Sequence, residues 1–174
     1  MKKILLVLGA VLVCSSANAA VSDSDWKFES TLGPVIDIKD WGGTQFGMNF
    51  KIGKGDGLSG LFGMAFGGIN DAQFKIGAAY DIPFYFTFSK AKDFSVGPTF
   101  DAGMRFGFGG VGTMIDFLNL GFGCRTTYQI SDSFGVVADL VHFSMSFVGW
   151  AKGAGVDSNF AMAYDMQFGI FYLF

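Results

Sequence analysis

Large apolar residues recur at every second position through most of the chain beyond residue 25, and the pattern is clearest at the end. From Phe160 to Phe174 every even position holds Phe, Met, Tyr or Ile, while the odd positions up to Gly169 hold small or polar residues. A period of two indicates a β-strand, because successive side chains of a strand point to opposite faces. The apolar face is longer than the roughly 9–11 residues that a membrane-crossing strand needs. The stretch therefore predicts the closing strand of a transmembrane β-barrel.

The same alternation can be counted eight times along the chain. Turn signals separate the segments, and Lys54-Gly55-Asp56-Gly57 is a tight hairpin signal. The pattern predicts an all-β fold, an eight-stranded antiparallel up-and-down barrel with short loops on both sides. The predicted strands are Trp26–Ile38, Thr44–Gly53, Leu58–Gly68, Phe74–Phe88, Phe94–Phe108, Ile115–Ile130, Phe134–Trp150 and Phe160–Phe174.

Side-chain size decides which face of these strands meets lipid. A soluble eight-stranded barrel would turn its apolar face inward, but its lumen is only just wide enough for side chains to fill. Four or more Phe-sized residues from every strand would not fit there, and the sequence holds 22 Phe and 26 Gly. The aromatic face is therefore expected to meet hydrocarbon, and the face of Gly, Ala, Ser and charged residues is expected to line the lumen.

An even number of strands places both termini of the chain on the periplasmic side. Trp41 and Trp150 then lie at the outer rim of the membrane, and Tyr128 lies at the inner rim. These positions predict the two aromatic girdles that such barrels carry.

Residues 1–19 have the layout of a cleaved secretory signal peptide, which leaves residues 20–174 as a single barrel domain. Lys2 and Lys3 precede an apolar core, and Ala17-Asn18-Ala19 resembles a cleavage site. Removal of the two lysines makes the remaining chain more acidic than the formal charge of −3 of the whole. Only Cys124 then remains, which excludes an intramolecular disulfide.

Charged side chains recur on the predicted lumen face. Charges that face a narrow interior are expected to pair, since an unpaired buried charge costs several kcal/mol. Two interpretations stay open, a fixed network that plugs the barrel and a gated path for ions. Asp101 and Arg105 could pair with Arg125 or Asp81, although the register is open. The predicted lumen charges are Lys27, Glu29, Lys51, Lys75, Asp81, Asp101, Arg105, Arg125 and Asp165.

The last eight residues resemble the C-terminal assembly signal of bacterial outer-membrane barrels. Gln167 is followed by Gly169 and then by Tyr172 and Phe174 at the spacing of that signal. The resemblance implies recognition by the barrel-assembly machinery and a location in the outer membrane of a Gram-negative bacterium.

A second resemblance concerns the preceding hairpin. Residues 128–134, followed by Val136, Ala138 and Asp139, are similar to the last periplasmic hairpin of small OmpA/OmpX-type barrels. This resemblance implies an eight-stranded barrel, which is expected to be a monomer in contact with outer-membrane lipids and lipopolysaccharide.

The single histidine suggests an enzymatic alternative. His142 and Ser144 form a His-x-Ser pair that resembles the pair in PagL-type lipid A 3-O-deacylases, whose catalytic residues face lipid. Asp157 is the candidate acid that would orient the histidine. Met145 stands where that family has Asn directly after the Ser, and the family acid is Glu.

The direction of His142 decides this alternative and is open in the sequence. If Asp139 points inward, strict alternation turns His142 and Ser144 toward lipid. A β-bulge near Leu140 would instead turn both into the lumen.

Other function classes find no support in the sequence. No basic patch suits nucleic acid, and no metal-ligand cluster or nucleotide-binding loop occurs, so no cofactor is expected. Three hypotheses remain: a non-enzymatic barrel with a role in envelope integrity or surface contact, a lipid A deacylase, and a narrow channel for small solutes.

Overall fold

The structure is a computed structural model that describes residues 25–39, 43–68, 72–86, 94–109, 112–152, 155–157 and 160–174. The predicted signal peptide, residues 1–19, lies outside this part of the chain. No helix within the described residues is long and apolar enough to cross a membrane.

Within the described residues, ten strand segments build the sheet. They are β1 (Trp26–Lys39), β2 (Thr44–Lys54), β3 (Leu58–Phe66), β4 (Ala72–Asp81), β5 (Phe84–Phe86), β6 (Phe94–Gly109), β7 (Gly112–Ser131), β8 (Phe134–Ala151), β9 (Gly155–Asp157) and β10 (Ala161–Leu173).

All pairings are antiparallel and the sheet closes on itself. Neighbours in the barrel are neighbours in the chain, and β10 pairs with both β1 and β8. The segments β4 and β5 share one position beside β6, so the barrel has eight strands around its circumference. The up-and-down fold predicted from the alternation is confirmed.

The register of the paired strands defines the stagger of the barrel, which is called its shear. A path through paired residues that leaves β6 at one level returns to β6 ten residues nearer its start, which is a shear of about ten. This path runs through Arg105, Lys75, Gly63, Asn49, Thr31, Gly169, Val137, Thr127 and Ser95.

Burial in this barrel is inverted relative to a soluble protein. Ile76 and Tyr172 on the outer surface are 58% and 51% exposed, whereas the charged Glu29 and Arg125 inside are 3% and 5% exposed. On the outside, stacked rings of Phe28, Phe50 and Phe62 continue from strand to strand. This distribution is that of a transmembrane barrel, in which apolar side chains face lipid and polar ones line the lumen.

Two predicted segments differ in the structure. The segment Phe74–Phe88 is not one strand, because Pro83 lacks the N–H that a central strand must donate. Strand β4 ends at Asp81 and β5 resumes at Phe84. The loop predicted at residues 151–159 is shorter, since β9 pairs with the end of β8 through Trp150 and Val156.

The hairpin predicted at Lys54–Gly57 joins β2 to β3. Gly55 and Gly57 have φ angles of 65° and 125°, which L side chains adopt only with strain. The Gly55 N–H donates to the carbonyl of Asp25, so this turn also contacts the start of β1.

A β-bulge at Leu140–Val141 interrupts the alternation of β8. Cys124 pairs with Val141 and the next residue of β7 pairs with Asp139, so Leu140 has no partner of its own. Leu140 and Val141 are 46% and 43% exposed, whereas His142 beyond them is buried. The structure thus has the bulge that turns His142 and the following even positions into the lumen.

A second bulge lies at Phe117–Leu118 in β7. On β6, Gly103 and Arg105 pair with Asn119 and Asp116, two positions against three. Both bulge residues are exposed on the outside, and Asp116 becomes buried inside. Each bulge therefore consists of two adjacent apolar residues that both face lipid.

Candidate functional site

The lumen holds the charged side chains in two clusters at different depths. We call the end where β1 begins and β10 finishes the terminal end, and the opposite end the loop end. The Arg125 cluster lies nearer the terminal end and comprises Arg125, Glu29, Asp81 and Asp139.

Arg125 contacts all three acids of this cluster. Its Nε and Nη2 donate to the two carboxylate oxygens of Asp139 at 2.8 and 2.7 Å. Its Nη1 donates to Asp81 at 2.9 Å and to Glu29. The fixed fork of the guanidinium suits this geometry, because it offers several N–H groups in one plane.

Two lysines complete the pairing around the Arg125 cluster. Lys51 Nζ lies 3.2 Å from Asp81, and Lys27 Nζ lies 3.1 Å from Glu29. Lys27 also contacts Asp56 of the β2–β3 hairpin at 2.9 Å and lies 4.8 Å above the ring of Phe171. The network thus reaches the terminal end of the barrel.

Apolar side chains narrow the lumen at this end. Val137, Phe171 and Leu173 are buried together on the inner face of β8 and β10. They are apolar residues on the predicted polar face, and Phe171 pairs with Glu29 of the Arg125 cluster across the β1–β10 seam.

The His142 cluster lies nearer the loop end and comprises His142, Asp101, Asp165 and Lys75. The His142 Nδ1 lies 2.9 Å from Asp165, and its Nε2 lies 2.8 Å from Asp101. Lys75 pairs with the other oxygen of Asp101. The four residues come from β8, β6, β10 and β4, so they bridge the interior of the barrel.

Uncharged polar side chains fill the level between the two clusters. Gln167 is buried, and its carbonyl oxygen accepts hydrogen bonds from Thr31 at 2.6 Å and from Asn49 at 2.8 Å. Gln167 on β10 thus connects to β1 and β2, and these hydrogen bonds stabilise the pairing of β10 with β1 that closes the barrel.

The sequence interpretation missed a third polar group toward the loop end. Ser146 donates to Asp116 at 3.1 Å and accepts from the amide of Asn119 at 2.9 Å. Asp116 was missed because its even position belongs to the lipid face in strict alternation. The adjacent pair Phe117-Leu118 was the signal, as Leu140-Val141 was in the next strand.

Two of the predicted deacylase residues, His142 and Ser144, lie in the lumen. Ser144 accepts a hydrogen bond from Arg105 at 2.9 Å. Both ring nitrogens of His142 contact acids of the lumen, and neither acid is Asp157. The side chain of Asp157 lies outside the described part of the chain. No arrangement of Ser144 and His142 as nucleophile and base toward lipid is present among the described contacts.

The space left inside the lumen is small and divided. One cavity of about 50 Å³ is lined by residues of the His142 cluster together with Arg105 and Gln73. Two further cavities of about 10 Å³ each lie beside the Arg125 cluster. A buried water needs about 10–15 Å³ measured in this way, so these cavities suit a few waters and no larger solute.

The residues of the predicted assembly signal and the described residues of the aromatic girdles lie in or next to β7, β8 and β10. The assembly-signal residues Gly169, Tyr172 and Phe174 are in or next to β10, and both aromatic rings are exposed outside. Trp150 is the penultimate residue of β8, toward the loop end, and Tyr128 lies near the terminal end of β7. Trp41 lies outside the described residues.

The described residues contain neither a metal-binding cluster nor a disulfide. No group of three or more His, Cys, Asp or Glu side chains is arranged there to hold a metal ion. Cys124 is a free thiol exposed on the outer face of β7.

The barrel is similar to several solved structures. It matches the crystal structure of Neisserial surface protein A (NspA) at 11% identity, over 88% of this chain and 99% of that chain, with a TM-score of 0.54. It also matches a major outer membrane protein from Thermus thermophilus at 14% identity, over 86% of this chain and 99% of that chain, with a TM-score of 0.46.

A third match is the N-terminal β-barrel domain of Pseudomonas aeruginosa OprF. The identity is 10%, over 85% of this chain and 97% of that chain, with a TM-score of 0.44. No protein-family model matches the sequence, and no curated protein matches it. The likeness to NspA shows that this chain shares the fold of a small antiparallel barrel.

Proposed function

We propose that this chain is an integral outer-membrane protein of a Gram-negative bacterium with a non-enzymatic role in envelope integrity or surface contact. The observation that carries the proposal is the Arg125 cluster, in which one guanidinium contacts three carboxylates inside a nearly filled lumen. Such a lumen supports a stable membrane-spanning structural protein rather than a channel or an enzyme with an internal active site.

The location is supported by two features of different origin. The outer surface has the apolar belt that a bilayer requires, and β10 carries Gln167, Gly169, Tyr172 and Phe174 at the spacing of the assembly signal. Cleavage of residues 1–19, recognition by the assembly machinery, contact with lipopolysaccharide and the monomeric state belong to the same proposal.

Membrane fractionation and gel migration test the location and the oligomeric state. The protein is expected in the outer-membrane fraction as a compact monomer whose mobility changes on boiling. Recovery in the inner membrane, or a band at the size of a dimer before boiling, would contradict the corresponding part of the proposal.

A deletion strain tests the role. Loss of the gene is expected to increase entry of a large antibiotic or detergent sensitivity, and the wild-type chain is expected to restore resistance. Complementation by S144A should be equally effective if no catalysis is involved. A strain with normal permeability and normal surface attachment would count against the proposal.

A narrow channel is the second candidate, and the small cavities are the observation that bears on it. The lumen contains polar groups along its length, yet the three cavities that its charged side chains line measure only about 50, 10 and 10 Å³. Planar bilayers test this candidate directly. Silence near neutral pH supports the closed lumen, and steady conductance would favour the channel.

The lipid A deacylase finds less support in the geometry. A lipid-embedded acyl chain would have to enter a lumen in which Ser144 contacts Arg105 and His142 contacts two acids. Mass spectrometry of lipid A from cells with and without the protein provides the test. Loss of one acyl chain that depends on Ser144 would establish the enzyme and remove the non-enzymatic proposal.

A further inference from the structure

His142 contacts a carboxylate with each of its two ring nitrogens. The distances are 2.9 Å from Nδ1 to Asp165 and 2.8 Å from Nε2 to Asp101. An ionised carboxylate only accepts hydrogen bonds, and a neutral imidazole has a single N–H to donate. Only the doubly protonated ring can donate to both acids, so the geometry is that of an imidazolium between two carboxylates.

The charged groups around the ring are few and come from separate strands. On β10 the ring meets Asp165, on β6 it meets Asp101, and Lys75 on β4 pairs with Asp101. Arg105, also on β6, contacts Ser144, which lies two residues after His142 on β8. Strand β7 offers no charge here, because its residue opposite His142 is Gly123.

The β8 bulge makes this arrangement possible. Without the extra residue at Leu140–Val141, His142 would face lipid, and Asp165 and Asp101 would lose the ring between them. The three side chains are nearly buried, and the cavity of about 50 Å³ lies directly against them. Their contacts therefore form one wall of this cavity.

We propose that His142 is a proton-controlled latch that joins Asp101 to Asp165 and keeps the loop half of the lumen closed. The latch rests on the closed lumen proposed above. When the ring carries its second proton, it holds both acids. Loss of that proton removes the hydrogen bond from the ring to one of the two acids. It also leaves Asp101 and Asp165 with a neutral ring between them and Lys75, which pairs with Asp101, as the remaining cation of the cluster, so the cavity wall separates.

The sign of the pH effect follows from this chemistry. Stabilisation by the latch is present while the ring is doubly protonated, and it is lost as the pH rises through the titration of the ring. We expect the closed lumen to persist at neutral pH and to open on the alkaline side.

The single histidine of the chain allows a direct spectroscopic test. In barrels labelled with ¹⁵N-histidine, residues 20–174 contain one imidazole and therefore one set of ring signals. We expect both ring nitrogens to be protonated at pH 7.5, and D165N to increase the neutral fraction at the same pH. A wild-type ring that is neutral at pH 7.5 would overturn the proposal.

Conductance in planar bilayers tests the consequence for the lumen. Wild type is expected to be silent at pH 7.5 and to conduct at the alkaline pH where the NMR signal shows loss of the second proton. A bilayer that stays silent after this loss would refute the latch. Conductance of wild type at pH 7.5 with a charged ring would instead refute the closed lumen itself, so the two failures are distinct.

Two variants separate the latch from a general alkaline effect on lysines. D101N removes one carboxylate, so a neutral ring suffices for the remaining acid and the lumen is expected to stay silent at alkaline pH. S95A is the matched control, since Ser95 shares a hydrogen bond with the Thr127 hydroxyl, away from the His142 cluster, and should keep the wild-type response. Alkaline opening of D101N equal to that of wild type would contradict the latch.

Discussion

The contacts of Arg125 allow a quantitative prediction about the stability of the barrel. Replacement by Met keeps much of the side-chain volume and removes the guanidinium from three acids. Glu29 would keep Lys27 at 3.1 Å, and Asp81 would keep Lys51 at 3.2 Å. Asp139 makes no other ion pair among the described residues, so it would become a buried, unpaired carboxylate.

The expected loss follows from that orphaned acid. Removing one partner of a buried ion pair typically costs about 3–5 kcal/mol, because an uncompensated charge remains. We expect R125M to lower the free energy of unfolding by this amount. Adding D139N removes the orphaned charge, so the double variant should regain about half of the loss or more.

Equilibrium unfolding in urea, with the barrel in lipid vesicles, measures these differences through the heat-modifiable gel band. K152M is the control, since Lys152 is exposed at the loop end and its loss should change stability by only about 0.5 kcal/mol. A loss for R125M below about 1 kcal/mol, the range of exposed salt bridges, would refute the reasoning.

Three further variants test other parts of the barrel. The Tyr164 hydroxyl donates to the carbonyl of Leu140 at 2.8 Å at the β8 bulge, so Y164F should lower the free energy of unfolding by about 1 kcal/mol, and an unchanged urea midpoint would contradict that role. A Cβ at Gly169 would overlap the Ser30 carbonyl across the closing seam, so G169V should fail to form the heat-modifiable band, and normal refolding would show that the seam can shift. F174A should refold normally in detergent yet accumulate unassembled in cells; equal assembly of variant and wild type would contradict the assembly signal.

Much of the fold could be predicted because a strand in a membrane barrel has one face in lipid and one in the lumen. The period of two therefore repeats in every strand, and lumen width alone decides which face is which. The same rule fails where a strand gains a residue. The bulge at Leu140 was left open as one of two alternatives, and the one beside Asp116 was missed.

The lumen charges could be predicted as a set, but their partners could not. Arg125 and Glu29 are 96 positions apart in the chain and meet only after the barrel closes with its particular shear. The position of Asp81 shows the same limit, because β4 and β7 are not neighbours and the pair with Arg125 crosses the lumen. Local spacing carries no information about such contacts.

The pairing of His142 with Asp101 and Asp165 illustrates both points. The sequence singled out the histidine and both acids, yet it offered Asp157 as the acid for an enzymatic role. The three-dimensional partners depend on the bulge and on the register of β8 with β10. The alternation of apolar and polar positions identified most of the charged groups that face the lumen. The strand register and the bulge determine which of these groups contact one another.

The most direct test of the inverted barrel uses Cys124, the one cysteine of residues 20–174. A spin label on this thiol, with the barrel in lipid vesicles, reports collisions with oxygen, which concentrates in lipid, and with a nickel chelate, which stays in water. The outer position of Cys124 predicts strong relaxation by oxygen and protection from the chelate. Strong relaxation by the chelate and protection from oxygen would contradict the assignment of the apolar face to lipid.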